Sequence, residues 1–387
     1  MTDAVLTLNC GSSSIKFAVF EKSDPPKRIA YGQIEGLGTA PHFQALDGTG
    51  ALLADKRWQA GTHEAFLDTL LSWVEEHLGG NRLLAAGHRI VHGGDEFSIP
   101  CVLTEPVLAK LKKLERLAPL HQPHNLAAID AVTNLRPELQ QIGCFDTAFH
   151  RSMAPTVRRY GLARDLERGD IRRYGFHGLS YEYITGRLRE LVPEHADGRI
   201  LIAHLGNGAS LCGIHHGYSV DTTMGFSTLD GLLMGTRPGA LDPGIILHLL
   251  RQGMDASALE DMLYRCSGLL GISGISSDMR TLLNSADPKA LEAVDLFVFR
   301  AAREAAALVA TMNGLDGLVF TAGIGENSPQ IRQGICERLS WLGVLLDADA
   351  NANDLFEINA STSPIKVWVI PTNEELVIAR HAFGLLA

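Results

Sequence analysis

The same strand–turn–strand plan occurs twice in this chain, and nothing else in the sequence constrains the fold as strongly. "LTLNCGSSSIKFAVF" (residues 6–20) sets two apolar runs around a knot of glycine and serine, with Lys16 just inside the second run. "RILIAHLGNGASLCGI" (199–214) repeats the plan about halfway along the 387 residues. Short apolar runs punctuated by glycine read as hairpin strands. A hairpin that recurs at such a distance predicts an internal duplication, and a chain of this length supports two domains.

Downstream of each hairpin, strands and helices are mixed. After the first, strands are expected near Arg28–Ile34 and His42–Leu46. A helix then carries Phe66, Leu70, Val74 and Leu78 at spacing four and stops at Gly79-Gly80. "LLAAGHRIVHGG" reads as a strand running into a glycine turn. Helices are expected over 105–117 and 123–134, and "QIGCFDTAFH" returns as a strand with Asp146 just past its apolar part. After the second hairpin come helices over 243–252, 256–265 and 288–312 and a buried strand "GLVFTAG". "IGENSP" then opens a helix, "IKVWVI" is a strand, and a last helix starts from Asn373. Alternating strands and helices predict an α/β protein.

Composition excludes several partner classes. A net charge of −10 argues against a general nucleic-acid binder and against a face for anionic lipid. "MTDAVLTLN" shows no basic or apolar leader, and no apolar run is long enough to span a bilayer, so a cytoplasmic protein is expected. The six cysteines (10, 101, 144, 212, 266 and 336) form no C-x-x-C pair and read as free, mostly buried thiols.

The glycine turns raise the question of chemistry. Backbone N–H groups and hydroxyls at a Gly/Ser turn make a nest for phosphoryl oxygens, and Lys16 adds a point charge. An ordinary serine-rich β-turn is the other reading. Neither a Walker A loop nor G-x-G-x-x-G after a strand is present, so any nucleotide site is of another type. Repetition favours the phosphate reading: "HLGNG" (204–208) is a second turn between strands. "FTAGIGENS" (320–328) is a third glycine-rich exit, with a helix N-terminus expected after Asn327.

"NCGSSSIK" (9–16), "GHRIVHGG" (87–94), "FDTAFH" (145–150), "RRYGFHGLS" (172–180), "HLGNGAS" (204–210), "MGTRPGALDP" (234–243), "FTAGIGENS" (320–328) and "PTNEEL" (371–376) are collinear from end to end. Together they resemble the motifs of the acetate kinase family. The resemblance implies the two-domain duplicated α/β fold of the acetate kinase–sugar kinase–actin superfamily, with the active site in the interdomain cleft. Residues 1–147 plus 375–387 would form the N-terminal domain, the last helix packing back on it, and 148–374 the nucleotide-binding one. It also implies a homodimer and Mg2+-dependent, reversible, in-line phosphoryl transfer from ATP to acetate, giving acetyl phosphate and ADP, with Mn2+ as a possible substitute.

The same resemblance carries roles to single residues. Arg89 would hold carboxylate or phosphoryl oxygens, Arg237 the transferring phosphoryl group, and His177 would stabilise the transition state. Asp146 matches the active-site aspartate, although an already ionised acetate needs no general base. Asn9 and Glu374 match the magnesium positions. Val91, Leu120 and Phe176 would surround the acyl methyl. Ser12, Ser14, Lys16, His204, Leu205, Gly206, Asn207 and Gly208 would meet phosphates. Asp278, Met279 and Arg280, with Gly323, Ile324, Gly325, Glu326 and Asn327, would form the adenosine side. Taken singly, each arginine reads as a surface ion-pair partner, His177 as structural, and Glu374 with its neighbour Glu375 as helix N-terminal charge complementing the dipole. His88 with His92, expected on one strand face, and His121 with His124, expected around a Pro-containing turn, lack the company of a zinc site. Thr228 stands where many family members carry proline, which leaves acetate against propionate open. A non-catalytic, nucleotide-dependent interaction module is the alternative of a different class.

Overall fold

The computed structural model describes residues 2–386 apart from Arg168 and the side chain of Glu167. The chain divides into two compact units, one of residues 1–148 with 373–387 and the other of 149–372.

In the first unit the strands are β1 (Asp3–Cys10), β2 (Ser14–Glu21), β3 (Lys27–Glu35), β4 (His42–Asp47), β5 (Leu52–Arg57), β6 (Arg82–Ile90), β7 (Cys101–Val102) and β8 (Gln140–Phe145). They form one sheet in the order β5-β4-β3-β2-β1-β6-β8-β7. One face buries Leu6, Leu8, Phe17, Val19 and Phe43 against helix His63–His77. Phe66, Leu70 and Val74 line that helix at the expected spacing, and Thr62 caps it by accepting from the Ala65 N–H. The Phe17 and Trp73 rings meet edge to face at 5.8 Å. The terminal helix Glu374–Leu386 covers the other face, against β1, β2, β6 and β8. It lies so close that a Cβ on Gly87 would come within 2.5 Å of the Ile378 side chain. The expected boundary put Glu374 in the second domain; this packing instead assigns Asn373 and Glu374 to the first unit.

The second unit holds β9 (Ile200–Leu205), β10 (Ala209–His215), β11 (Tyr218–Thr222), β12 (Gly317–Thr321) and β13 (Lys366–Val369), ordered β11-β10-β9-β12-β13. The long helix Pro288–Met312 packs on β9, β10 and β11, with Asp287 as its cap. Tyr181, Ile184 and Leu188 of helix Gly178–Leu191 join a core with Ile200, Ile202, Val319 and Trp368. Both units share a five-strand plan: β3-β2-β1-β6-β8 and β11-β10-β9-β12-β13 run antiparallel, antiparallel, parallel, parallel. The duplication seen in two hairpins extends to the whole central sheet.

Some local expectations change. The helix over 105–117 ends at Lys112, and a single tight turn at Glu115–Leu117 comes after it. The segment around His121 and His124 is no free turn, because Pro123 enters the first turn of helix Gln122–Leu135, where its missing N–H costs nothing. Residues of "AGIGEN" coil into a short helix, Ala322–Asn327, before helix Pro329–Arg338. All six cysteines are free, and burial pushes the Cys10 and Cys212 thiols up to about 12. Among the described residues no helix is long and apolar enough to cross a membrane.

Candidate active site

On the first unit, β1 and β2 place Asn9 directly opposite Lys16 across the hairpin. The turn itself is closed by Gly11 N–H donating to Ser14 O at 2.9 Å, and Ser12 is exposed beside it. Arg89, near the end of β6, donates from Nε to Asp146 Oδ1 at 3.1 Å and from Nη2 to Oδ2 at 2.5 Å. Its Nη1 reaches Asn9 Oδ1 at 3.1 Å, and Glu374 lies 3.8 Å from Nε. Five of the sequence-selected residues therefore meet here: Asn9 and Arg89 bonded, Asp146 and Glu374 flanking, and Lys16 facing Asn9. The forked guanidinium–carboxylate pair suits a nearly buried Asp146, whose side chain is 1% exposed.

Charge at this cluster is uneven. Desolvation lowers the Arg89 pKa, but the carboxylates of Asp146, Glu374 and Glu375 outweigh it and hold the group above its ordinary value. Glu374 is pushed up to about 7, by burial first and by Asp146 and Glu375 next, with Arg89 and Lys16 acting against them. A carboxyl so placed is a hard-oxygen donor whose ionised form a divalent cation would restore, so Asn9 and Glu374 fit Mg2+. Among the described residues no group of three or more His, Cys, Asp or Glu is arranged to hold a metal on its own.

The loop after β6 is fixed from behind by residues that were not among the expected site residues. Asn125 Oδ1 accepts from Val91 N–H and its Nδ2 donates to Cys10 O, joining the ends of β6 and β1. Gln122 bonds both the N–H and the C=O of His92, and Thr147 accepts from Gly93 N–H. Polar residues at the start of a buried helix were the available signal. Val91 is buried and Leu120 half-buried in the turn before that helix. β6 ends at Ile90, so His88 and His92 do not share a strand; desolvation drops both to about 4, and they stay neutral.

On the second unit, His177 stacks on His204 with ring centroids 4.2 Å apart. His177 is at the N-cap of helix Gly178–Leu191 with φ of 59°, a left-handed conformation that a non-glycine residue adopts at a cost. Arg237 Nη1 donates to Thr228 O at 2.8 Å, and among the described residues no carboxylate pairs with it. Lost hydration pulls its pKa down to about 10, with Tyr264 opposing. A Cβ on Gly208 would lie 2.8 Å from Arg237 Nη2 and 3.4 Å from His177 Nε2, so both groups converge on the space above that glycine. Phe176 is fully buried, and His150 Nε2–H donates to its carbonyl at 2.9 Å.

A cavity of about 540 Å³ lies in the same unit. Gly206, Asn207, Asp278, Met279, Arg280, Gly323, Ile324 and Asn327 line it, which brings together residues from three separate stretches of the sequence. The remaining residues of that set stand apart from its wall. Leu205 points into the core; Gly325 packs on Phe320 and Ala203. Glu326 accepts from the N–H groups of Ala322 and Thr372, tying two strand exits together. Asp278 also caps its own helix, accepting from Thr281 N–H. Behind the cavity, fully buried Arg332 donates to the carbonyls of Gly325 and Glu326, a support that no sequence pattern signals.

The Acetokinase family model matches residues 4–380. An acetate kinase of Rhodopseudomonas palustris is 51% identical over 393 aligned positions, covering 100% of this chain and 99% of its own. The crystal structure of a propionate kinase from Francisella tularensis superposes with a TM-score of 0.92 at 35% identity, covering 98% of both chains. That of Porphyromonas gingivalis acetate kinase gives 0.89 at 35%, covering 100% of both. The fold is that of the acetate kinase–sugar kinase–actin superfamily, and the activity is that of a kinase acting on a carboxylate, not of a non-catalytic module. The chain belongs to the acetokinase family.

Proposed function

We propose that the protein transfers the γ-phosphoryl group of ATP to acetate, reversibly and with Mg2+, giving acetyl phosphate and ADP. The observation that carries the reading is Arg237: a recessed guanidinium without a carboxylate partner among the described residues, beside His177. Desolvated, uncompensated positive charge is what a transferring phosphoryl group requires, since its transition state spreads negative charge over equatorial oxygens. Acetate arrives ionised, so the residues here orient and neutralise without removing a proton from the nucleophile. Arg89 binds the carboxylate, held in plane by Asp146. Asp146 thus works as an orienting group and not as a base. The cavity at Gly206, Asp278 and Gly323 takes the nucleotide. Mg2+ would be held by Asn9 and Glu374 and would offset phosphate charge when bound.

Propionate is the second reading: Thr228 leaves the choice open, and a propionate kinase is among the similar structures. An apolar pocket separates one methylene only weakly. We also propose a cytoplasmic homodimer. Helix Pro243–Arg251 buries none of its residues and exposes Ile245, Leu247 and Leu250, as a surface awaiting a second copy would. Trapping acyl phosphate with hydroxylamine from Mg-ATP and acetate, propionate or butyrate tests the assignment. Acetate is expected to lead; a lead for propionate moves the name and keeps the mechanism, and no product from any acid sinks the proposal.

A further inference from the structure

Two hydroxyl residues stand behind His177. Its Nδ1 lies 2.8 Å from Ser210 Oγ, and Ser210 Oγ lies 2.5 Å from the Tyr181 hydroxyl. Tyr181 is fully buried, and desolvation raises its phenol well above the ordinary value, so it keeps its proton. Ser210 Oγ is the acceptor in reach of that proton. Ser210, receiving one hydrogen bond, turns its own proton to Nδ1. The opposite polarity, with Nδ1–H donating to Ser210 and Ser210 to Tyr181, would strand the phenol proton in the core.

We propose that Tyr181 and Ser210 are positioning residues that fix His177 as the tautomer protonated on Nε2. The ring then presents an N–H donor to the space above Gly208, where Arg237 Nη2 also points. The chain of bonds runs phenol to serine to imidazole, and stacking on His204 keeps the ring from turning over. A left-handed backbone at His177 serves the same end, since it sets the ring at the helix N-cap from which both hydroxyls are reached. What the donor meets rests on the proposed carboxylate-kinase reading; the tautomer does not. No motif contained Tyr181, and its partner Ser210 lies on a different element, β10.

The test uses full-length protein carrying nitrogen-15 histidine at pH 8, read by long-range proton–nitrogen correlation, with His177→Gln identifying the signal. Expected for the native chain is an unprotonated Nδ1 and a protonated Nε2. Tyr181→Phe and Ser210→Ala should mix the tautomers and lower kcat by about 10- to 100-fold, as loss of an orienting partner does. KM for both substrates should stay within about two-fold. Ser210→Thr, which keeps the hydroxyl, should keep both tautomer and rate, and it carries the test if a truncated variant fails to fold. A native proton on Nδ1 overturns the proposal, as do Tyr181→Phe and Ser210→Ala proteins with unchanged tautomer or unchanged kcat. A native protein that makes no acyl phosphate overturns the kinase reading and leaves the tautomer result standing.

Discussion

Arg89 and Arg237 carry the same charge in opposite circumstances. Arg89 is matched to a nearly buried carboxylate, so Arg89→Ala strands Asp146 without its partner. That variant should lose activity and also about 3 kcal/mol of stability, read as a drop in denaturation midpoint. Arg237 has no such partner, so Arg237→Ala should cost about 10²- to 10³-fold in kcat while leaving the midpoint unchanged or higher. Equal destabilisation of the two variants would contradict the assignment. Glu374 gives a pH prediction. Its folded pKa, about 7, is above the ordinary carboxyl value, so its stabilising contribution is full at acid pH and is lost as pH rises through 7. Thermal midpoints of the metal-free protein should fall from pH 5 to 8, less steeply in Glu374→Gln. Adding Mg2+ at pH 8 should raise the native midpoint more than that of the variant; equal responses would remove Glu374 from the metal site. At this scale the sequence was informative where a residue sat inside a motif. Arg89, Asp146 and His177 were legible for that reason. Tyr181, Asn125 and Arg332 were not, because their importance comes from hydrogen bonds to partners far away in the chain.

Among the elements, the hairpin turn of β9 and β10 shows what glycine contributes. Gly208→Ala is compatible with the backbone, yet its methyl would sit where Arg237 Nη2 approaches. We expect a kcat loss of about 10-fold or more with a near-native melting temperature, measured on the same assay as Arg237→Ala. A variant of full activity would mean that Arg237 does not work from this position. Periodicity announced helices such as His63–His77 and Pro288–Met312, whose apolar faces recur at spacing four. It missed β5, an edge strand of "LLADKR" whose exposed residues carry no buried alternation. It also set the helix N-terminus after Asn327. There a short helix starts earlier, at a left-handed Ala322, and Arg332 holds its carbonyls from below.

For the whole molecule, the repeated hairpin was a fragment of a larger repetition that only strand order and direction reveal. The terminal helix belongs to the first unit although it comes after the second in sequence. Ending the chain at Thr372 should therefore remove Ile378, expose the β1 and β6 face around Gly87 and leave that unit unfolded, visible as lost near-ultraviolet circular dichroism. A truncated chain with native spectra would show that the helix is dispensable.

Everything proposed for these residues depends on transfer of phosphoryl to a carboxylate, which phosphorus NMR of one sample can follow atom by atom. With Mg-ATP, acetate and the native protein, acetyl phosphate and ADP should appear together and in equal amounts, and the Arg237→Ala protein should yield neither at a comparable rate. ADP accompanied by inorganic phosphate from the outset, or ATP left intact, would mean that the carboxylate is not the acceptor.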